Sequence, residues 1–253
     1  MLALRLCRIV RPTLFVGAVL YSGMAMAAGL QVSPISLSLQ ARENASGLTL
    51  SNSSNHVMNA QVRIQRWMQD DTGDQLVPSR ELLASPPMTE LKPGEQQLVR
   101  IIRAKAPPQG TDAVEGSYRI LINEIPVKLP EQTSGLQFAL SYSLPVFVQP
   151  LGINKTSPQL HWSMHPQPNN EQVKIRVSNL GNGHAKLSGL SFVDTAGNSL
   201  DLHQGLLGYV LPGATMYWTL KISPSALTSE GTFKVILNGT KTTPDVTLDN
   251  TAR

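Results

Sequence analysis

Only one cysteine, Cys7, occurs in the 253 residues, and it lies in an N-terminal stretch built like a removable export signal. Arg5, Arg8 and Arg11 precede an apolar run at positions 13–24, and Ala25-Met26-Ala27 supplies the small residues of a cleavage site. Residues 1–27 are therefore expected to be a signal peptide, with the mature chain beginning at Ala28. Cys7 precedes the apolar run, which is the wrong place for a lipoprotein acceptor. The mature chain has no thiol nucleophile and no disulfide, although its compartment permits one. Long hydrophobic runs are also lacking: the leading run is too short for a stable membrane span, and nothing later approaches eighteen apolar residues. This predicts a soluble exported product with no membrane insertion. Neither sign of charge dominates. Removing three signal arginines from 21 basic residues leaves 18 against 17 acidic ones, a net charge of +1. No run of Lys and Arg offers a clustered basic surface, which excludes a nucleic-acid partner.

Helical periodicity is scarce as well. No long segment repeats apolar residues at three and four positions, whereas short alternating runs recur between turn residues, so the chain reads as all-β. Strands are expected at 30–39, 48–51, 60–68, 97–103, 118–125 and 136–149, then at 173–177, 187–193, 217–222 and 233–237. Catalytic signatures are missing: there is no Gly-x-Ser-x-Gly elbow. His161 and His165 are four apart, a spacing that suits a metal on a helix but separates α-carbons by about 13 Å on a strand. Gly181-Asn182-Gly183 lacks the later glycine of a dinucleotide loop and reads as a turn. Asp70, Asp71 and Asp74 sit in a Gly-containing loop, QDDTGDQ, that does not meet the EF-hand pattern. A non-enzymatic protein without metal or cofactor is the expectation.

What is present is one unusually long two-faced stretch, LQFALSYSLPVFVQ at 136–149. Every even position from Leu136 to Val148 carries a large apolar side chain, and the odd positions are mostly small or polar. That is the period of a strand with one buried face. Thirteen positions span about 43 Å, against the roughly 17–20 Å of an ordinary strand. The surplus apolar edge belongs either to an overlong core strand or to a strand that a partner covers. Pro150-Leu151-Gly152, followed by Pro158, interrupts pairing where this stretch ends. Two β-sandwiches are expected, at 28–150 and 151–253, immunoglobulin-like in size and strand spacing but without the inter-sheet cysteines of antibody domains.

The stretch SPPMTELKPGEQQLVRI at 85–101 resembles the Pro-Pro, Leu-x-Pro-Gly, Val-Arg pattern of periplasmic pilus chaperones of the chaperone-usher pathway. YRILINEIP at 118–126 resembles their next strand, and residues 136–150 their subunit-binding G1 strand. Order and spacing match over most of the first domain; the second matches only in length and sandwich character. The resemblance implies two immunoglobulin-like β-sandwiches joined at an angle, in the periplasm. It also implies a mechanism: the G1 edge completes a pilus subunit whose fold lacks its last strand, in a one-to-one complex that is delivered to an outer-membrane usher. Leu136, Phe138, Leu140, Tyr142 and Leu144 are then the side chains offered to the subunit. Rival readings are a secreted β-sandwich adhesin or pilin, and a periplasmic carbohydrate-binding or hydrolytic module.

The better-known members of that family carry an arginine on the first strand and a lysine late in G1 that hold the subunit's terminal carboxylate. Those positions fall near Ser36 and on Pro145 here, so both cations are missing. The ending LPVFVQP instead resembles the archaic branch, related to biofilm-forming pili. Gln149 replaces the arginine usual before the domain-ending proline, which puts an ion pair with Glu124 in doubt. A carboxylate in a cleft still needs a cation or several donors. Arg119, alternating away from Tyr118 and Ile120, is the first candidate, Lys155 the second and Arg103 the third.

Overall fold

The computed structural model describes residues 29–126, 139–167, 171–227 and 231–248. The expected export signal, Leu136 and Phe138 lie outside the described residues. The first ten strands are β1 (Leu30–Ser33), β2 (Leu37–Leu39), β3 (Ala45–Asn52), β4 (Met58–Asp70), β5 (Gly73–Pro78), β6 (Leu82–Ser85), β7 (Met88–Leu91), β8 (Gln96–Arg103), β9 (Gly116–Ile125) and β10 (Ser141–Val148). They form a four-stranded sheet ordered β1-β3-β8-β6 and a larger sheet ordered β2-β10-β9-β4-β5, with β7 on β4. The alternation read in the sequence places Leu50, Val62, Val99, Ile101, Ile120 and Val146 between these sheets in one apolar core.

The remaining strands are β11 (Leu160–Pro166), β12 (Val173–Asn179), β13 (Ala185–Val193), β14 (Ser199–Val210), β15 (Thr215–Leu220), β16 (Thr232–Leu237), β17 (Thr240–Thr242) and β18 (Val246–Leu248). They make two further sheets, β15-β12-β11-β18 and β14-β13-β16-β17. No strand pairing crosses from the first pair of sheets to the second among the described residues. No helix among them is long and apolar enough to cross a membrane.

The stretch 30–39, expected as one strand, is two. β1 pairs with β3 in the first sheet, and β2 pairs in parallel with β10 in the second. Pro34 between them has no N–H to continue a ladder, so the chain changes sheets there. Strands β5 and β14 carry too few alternating apolar residues to be recognised from sequence, whereas β11 does alternate, at Leu160, Trp162 and Met164, and was not among the strands expected. β14 is also irregular, with register shifts against β13 and positive φ at Gly205 and Gly208.

The Gly181-Asn182-Gly183 turn does more than reverse the chain. The Asn182 amide and the Gly183 amide donate to Ser157 O, the Ser157 amide donates to Asn182 Oδ1, and the Glu115 amide donates to Asn182 O. The turn thus seats the connecting segment and reaches back to the first sandwich. A Cβ on Gly181 would fall 2.3 Å from Ser157 O and 2.5 Å from Gln159 N, both backbone atoms. Gly181→Ala should therefore cost about 1–3 kcal/mol. A melting temperature lowered by several degrees is the expected result, and an unchanged one would show that the connecting segment yields freely.

Candidate functional site: the open edge of β10 and the junction beside it

β10 sits between β9 and β2, but its two edges are covered unequally. Along β9 the ladder runs from Ser141↔Asn123 to Val148↔Gly116. On the other side β2 reaches only Val146, Phe147 and Val148. From Ser141 to Leu144 that edge has no strand partner among the described residues, so its backbone groups are available for one.

The side chains grade in the same direction. Val146 and Val148 are fully buried and Leu144 is 8% exposed, all three in the core of the first sandwich. Tyr142 is half-buried, its hydroxyl donating to Leu30 O, and Leu140 is 38% exposed. This gradient divides the set expected from the sequence. Leu144 belongs to the chain's own core because β2 and the facing sheet already close over that end of β10. Leu140 and Tyr142 stand where the sandwich opens.

The odd positions of β10 point to the outer face of the sheet, and there Phe147 is 4% exposed. The second sandwich covers it. Phe147 stacks on His184 at 3.5 Å with an interplanar angle of 1° and lies 6.1 Å from Trp67, on the outer face of β4. Tyr209 of β14 meets Trp67 edge-on at 5.3 Å. Gln69 ties the halves by polar contacts: its Nε2 donates to Tyr209 O at 2.9 Å, and its Oε1 accepts from the Leu211 amide at 2.8 Å. The buried Glu115 carboxylate accepts from Gln149 Nε2 and from the backbone amide of His184, and its Oε2 is 2.7 Å from His184 Nδ1. Gln149 accepts in turn from the Thr156 hydroxyl. The partner of Gln149 is thus Glu115, while Glu124 accepts from the Leu140 amide.

Arg119 lies at the centre of this face, paired across the ladder with Gln65 and Pro145 and diagonal to Trp67. Its guanidinium carbon is 3.7 Å from the Trp67 ring centroid and 5.4 Å from that of Tyr209, and the side chain is 14% exposed. Burial pulls its pKa down, opposed by the nearby Asp74 and Tyr209. Among the described residues its polar contacts are long, 3.4 Å to Ser143 O and 3.9 Å to Asp74 Oδ2. A flat cation with five donors, mostly dry and loosely paired, suits a planar anion.

Among the described residues, no contact brings the other two candidates to this place. Lys155 is exposed on the segment after β10. Arg103 is in the four-stranded sheet opposite Leu82, where it donates to Ala41 O at 2.8 Å and Asn44 Oδ1 at 3.0 Å and so braces its own loop.

The inner face of β9 is pinned by Tyr118, whose hydroxyl donates to Glu81; Arg66 and Lys105 pair with the same carboxylate. Lys105 foremost, with Tyr118 and Arg66, holds the Glu81 pKa down at about 2 against the opposing effect of burial. Burial, and then the bond to Glu81, pushes the Tyr118 phenol up to about 12. A depressed carboxylate stabilises the fold fully above its unfolded value near 4.5, and this is lost as pH falls toward 2. Glu81→Gln should cost about 1–3 kcal/mol at neutral pH and flatten the acid limb of stability between those values, as followed by denaturant titration. An acid limb as steep as the wild type's would remove Glu81 from this role.

The remaining motifs are structural. β11 carries His161 and His165 as a strand, and Asp70 accepts from the Thr72 amide and hydroxyl within the β4–β5 turn. No group of metal-ligating side chains is found among the described residues. Sequence reasoning passed over Trp67, Gln69, Phe147 and Tyr209. Two of them left a signal, because Trp67 and Phe147 are large aromatics on the face of their strands that alternation assigns to solvent.

Two packed β-sandwiches, one with an open edge strand, define a class of protein, and comparison with known proteins agrees. Residues 29–154 match the family described as pili and flagellar-assembly chaperone, PapD N-terminal domain. The chain also resembles a solved structure of the CsuC–CsuE chaperone–tip subunit pre-assembly complex from archaic chaperone-usher Csu pili of Acinetobacter baumannii. The identity is 25% and the TM-score 0.66, over 88% of this chain and 100% of that one. The CupB2 chaperone of Pseudomonas aeruginosa shares the fold at 18% identity and TM-score 0.55, over 87% and 100% of the two chains. So does the structure of the Salmonella enterica SafA pilin with the SafB chaperone, at 17% and 0.55 over 87% and 95%. No curated sequence matches. The chain belongs to the chaperone-usher pilus chaperones, a family of non-enzymatic assembly proteins, and is similar to the archaic Csu member.

Proposed function

We propose that this chain is a periplasmic chaperone that binds a pilus subunit one-to-one and completes its fold with the free edge of β10. It then delivers the subunit to an outer-membrane usher. The observation that carries the reading is the combination on β10 of an unpaired edge at Ser141–Leu144 with exposed Leu140 on the face where the sandwich opens. Backbone pairing with an incoming subunit supplies register, and Leu136, Phe138, Leu140 and Tyr142 supply apolar contact. At about 1.5–3 kcal/mol per large apolar side chain, four contribute roughly 6–12 kcal/mol before ordering costs. Solved relatives in complex with a pilin and with a tip subunit support this choice of partner.

Domains at 28–150 and 151–253, after removal of residues 1–27, belong to the same reading. Arg119 is the proposed anchor for the subunit carboxylate and Lys155 the second choice. Arg103 drops out because its donors brace the 40–44 loop. The test is co-expression with candidate pilus subunits, small exported β-sandwich proteins from the same genome, followed by size and mass measurement. A one-to-one complex is expected. Recovery of the chain alone, with every subunit aggregated or degraded as in its absence, would refute the reading, as would ladders of self-polymerised chain.

A further inference from the structure

Arg119 is held by two rings from two different sandwiches. Trp67 belongs to β4 of the first and Tyr209 to β14 of the second, and the rings stand 75° apart. A guanidinium carries its positive charge over a plane: its face stacks on aromatic rings while its N–H fork, in the plane, remains free for a carboxylate. On Trp67 alone the long side chain can still pivot about its torsions. A second ring approaching from another direction removes much of that freedom.

We infer that Tyr209 is a positioning residue for the subunit's terminal carboxylate, completing across the domain junction an aromatic clamp that presents the Arg119 fork. This rests on the proposed role of Arg119 and adds that the anchor exists only while the two sandwiches are docked. Gln69 reinforces that dependence, because the carbonyl it bonds across the junction is that of Tyr209 itself. The order imposed on Arg119 before binding does not have to be imposed during it, so the clamp raises affinity without touching the subunit. It also gives the second sandwich, which otherwise meets β10 around Phe147, away from its open end, a part in capture.

The test uses the full chain and the pilus subunit that it captures in co-expression, prepared with its natural C-terminal carboxylate and as the C-terminal amide. Wild type is expected to prefer the carboxylate form by about tenfold, the scale of one charge-assisted contact. Tyr209→Leu keeps apolar bulk without a π face. It should shrink the preference to within about twofold while leaving affinity for the amide form unchanged and lowering the melting temperature by no more than a few degrees, the share of its ring contact with Trp67. Tyr209→Phe should restore the preference. Should the Leu variant melt early, Tyr209→Met, flexible enough to fill the same space, takes its place.

A Leu or Met variant that keeps the full preference overturns the inference, as does one that weakens both forms equally, since a merely structural role does that. A Phe variant that fails to restore it overturns the clamp too. Arg119→Ala in the same assay separates the levels. If it keeps the carboxylate preference, the anchor reading itself falls; if it loses the preference while Tyr209→Leu retains it, only the role of Tyr209 does.

Discussion

Leu140→Asp is expected to abolish subunit capture while the free protein melts within a few degrees of wild type. Leu140 is 38% exposed at the open end of the first sandwich, so in the free chain an aspartate there stays in water, and surface changes of that kind usually cost under about 0.5 kcal/mol. If β10 completes the subunit as proposed, the same position enters an apolar groove, where a carboxylate costs several kcal/mol whether it stays charged or takes up a proton. A loss of that size lowers affinity by at least a hundredfold. Phe138→Asp should behave likewise.

The contrast is Leu144→Asp, two residues on along the same face. That side chain is part of the core, so the substitution should unfold the first sandwich. Thermal melting of the free chains beside co-purification reads both. Capture by Leu140→Asp at wild-type affinity would end the donor reading of β10, and so would loss of capture explained wholly by a collapse in melting temperature.

Arg119→Ala should weaken capture about 10- to 100-fold, the value of a desolvated charge-assisted contact worth a few kcal/mol. It should also loosen the junction, since the guanidinium stacked at 3.7 Å on Trp67 contributes about 1–2 kcal/mol there. Arg119→Lys is the informative companion. It keeps the charge but loses the flat stack and the two-pronged fork, and should recover little of the affinity. Full affinity in the Lys variant would show that charge alone suffices. Undiminished affinity in the Ala variant would pass the anchor role to Lys155.

The two halves of the site were unequally legible. The even positions 136–148 marked β10 as a strand with one apolar face, because a period of two is a property of the chain itself. Where along that strand the face leaves the chain's own core could not be read, since Leu140, Tyr142 and Leu144 are alike in sequence. It is decided by β2, which covers three residues of the far edge and stops. Arg119 was placed on the outer face by the same alternation, yet its surroundings were not: Trp67 is 52 residues before it and Tyr209 is 90 after it. Tyr209 sits on a strand whose register shifts against β13, with positive φ at Gly205 and Gly208, erased the period that would have announced it.

The sequence by itself determined the all-β class, the alternating faces of β4, β8, β9 and β10, and the motifs that place the chain among the pilus chaperones. These follow from local geometry, in which side chains alternate along a strand and proline and glycine interrupt it. The tertiary structure alone decided which outer-face residues are covered and by what. Trp67 and Phe147 are core residues of a junction, Glu115 is buried under Gln149 and His184, and Arg119 is a dry cation between two rings, because a second sandwich lies over the first. Burial at such a junction comes from segments distant in the chain, and no local period encodes it.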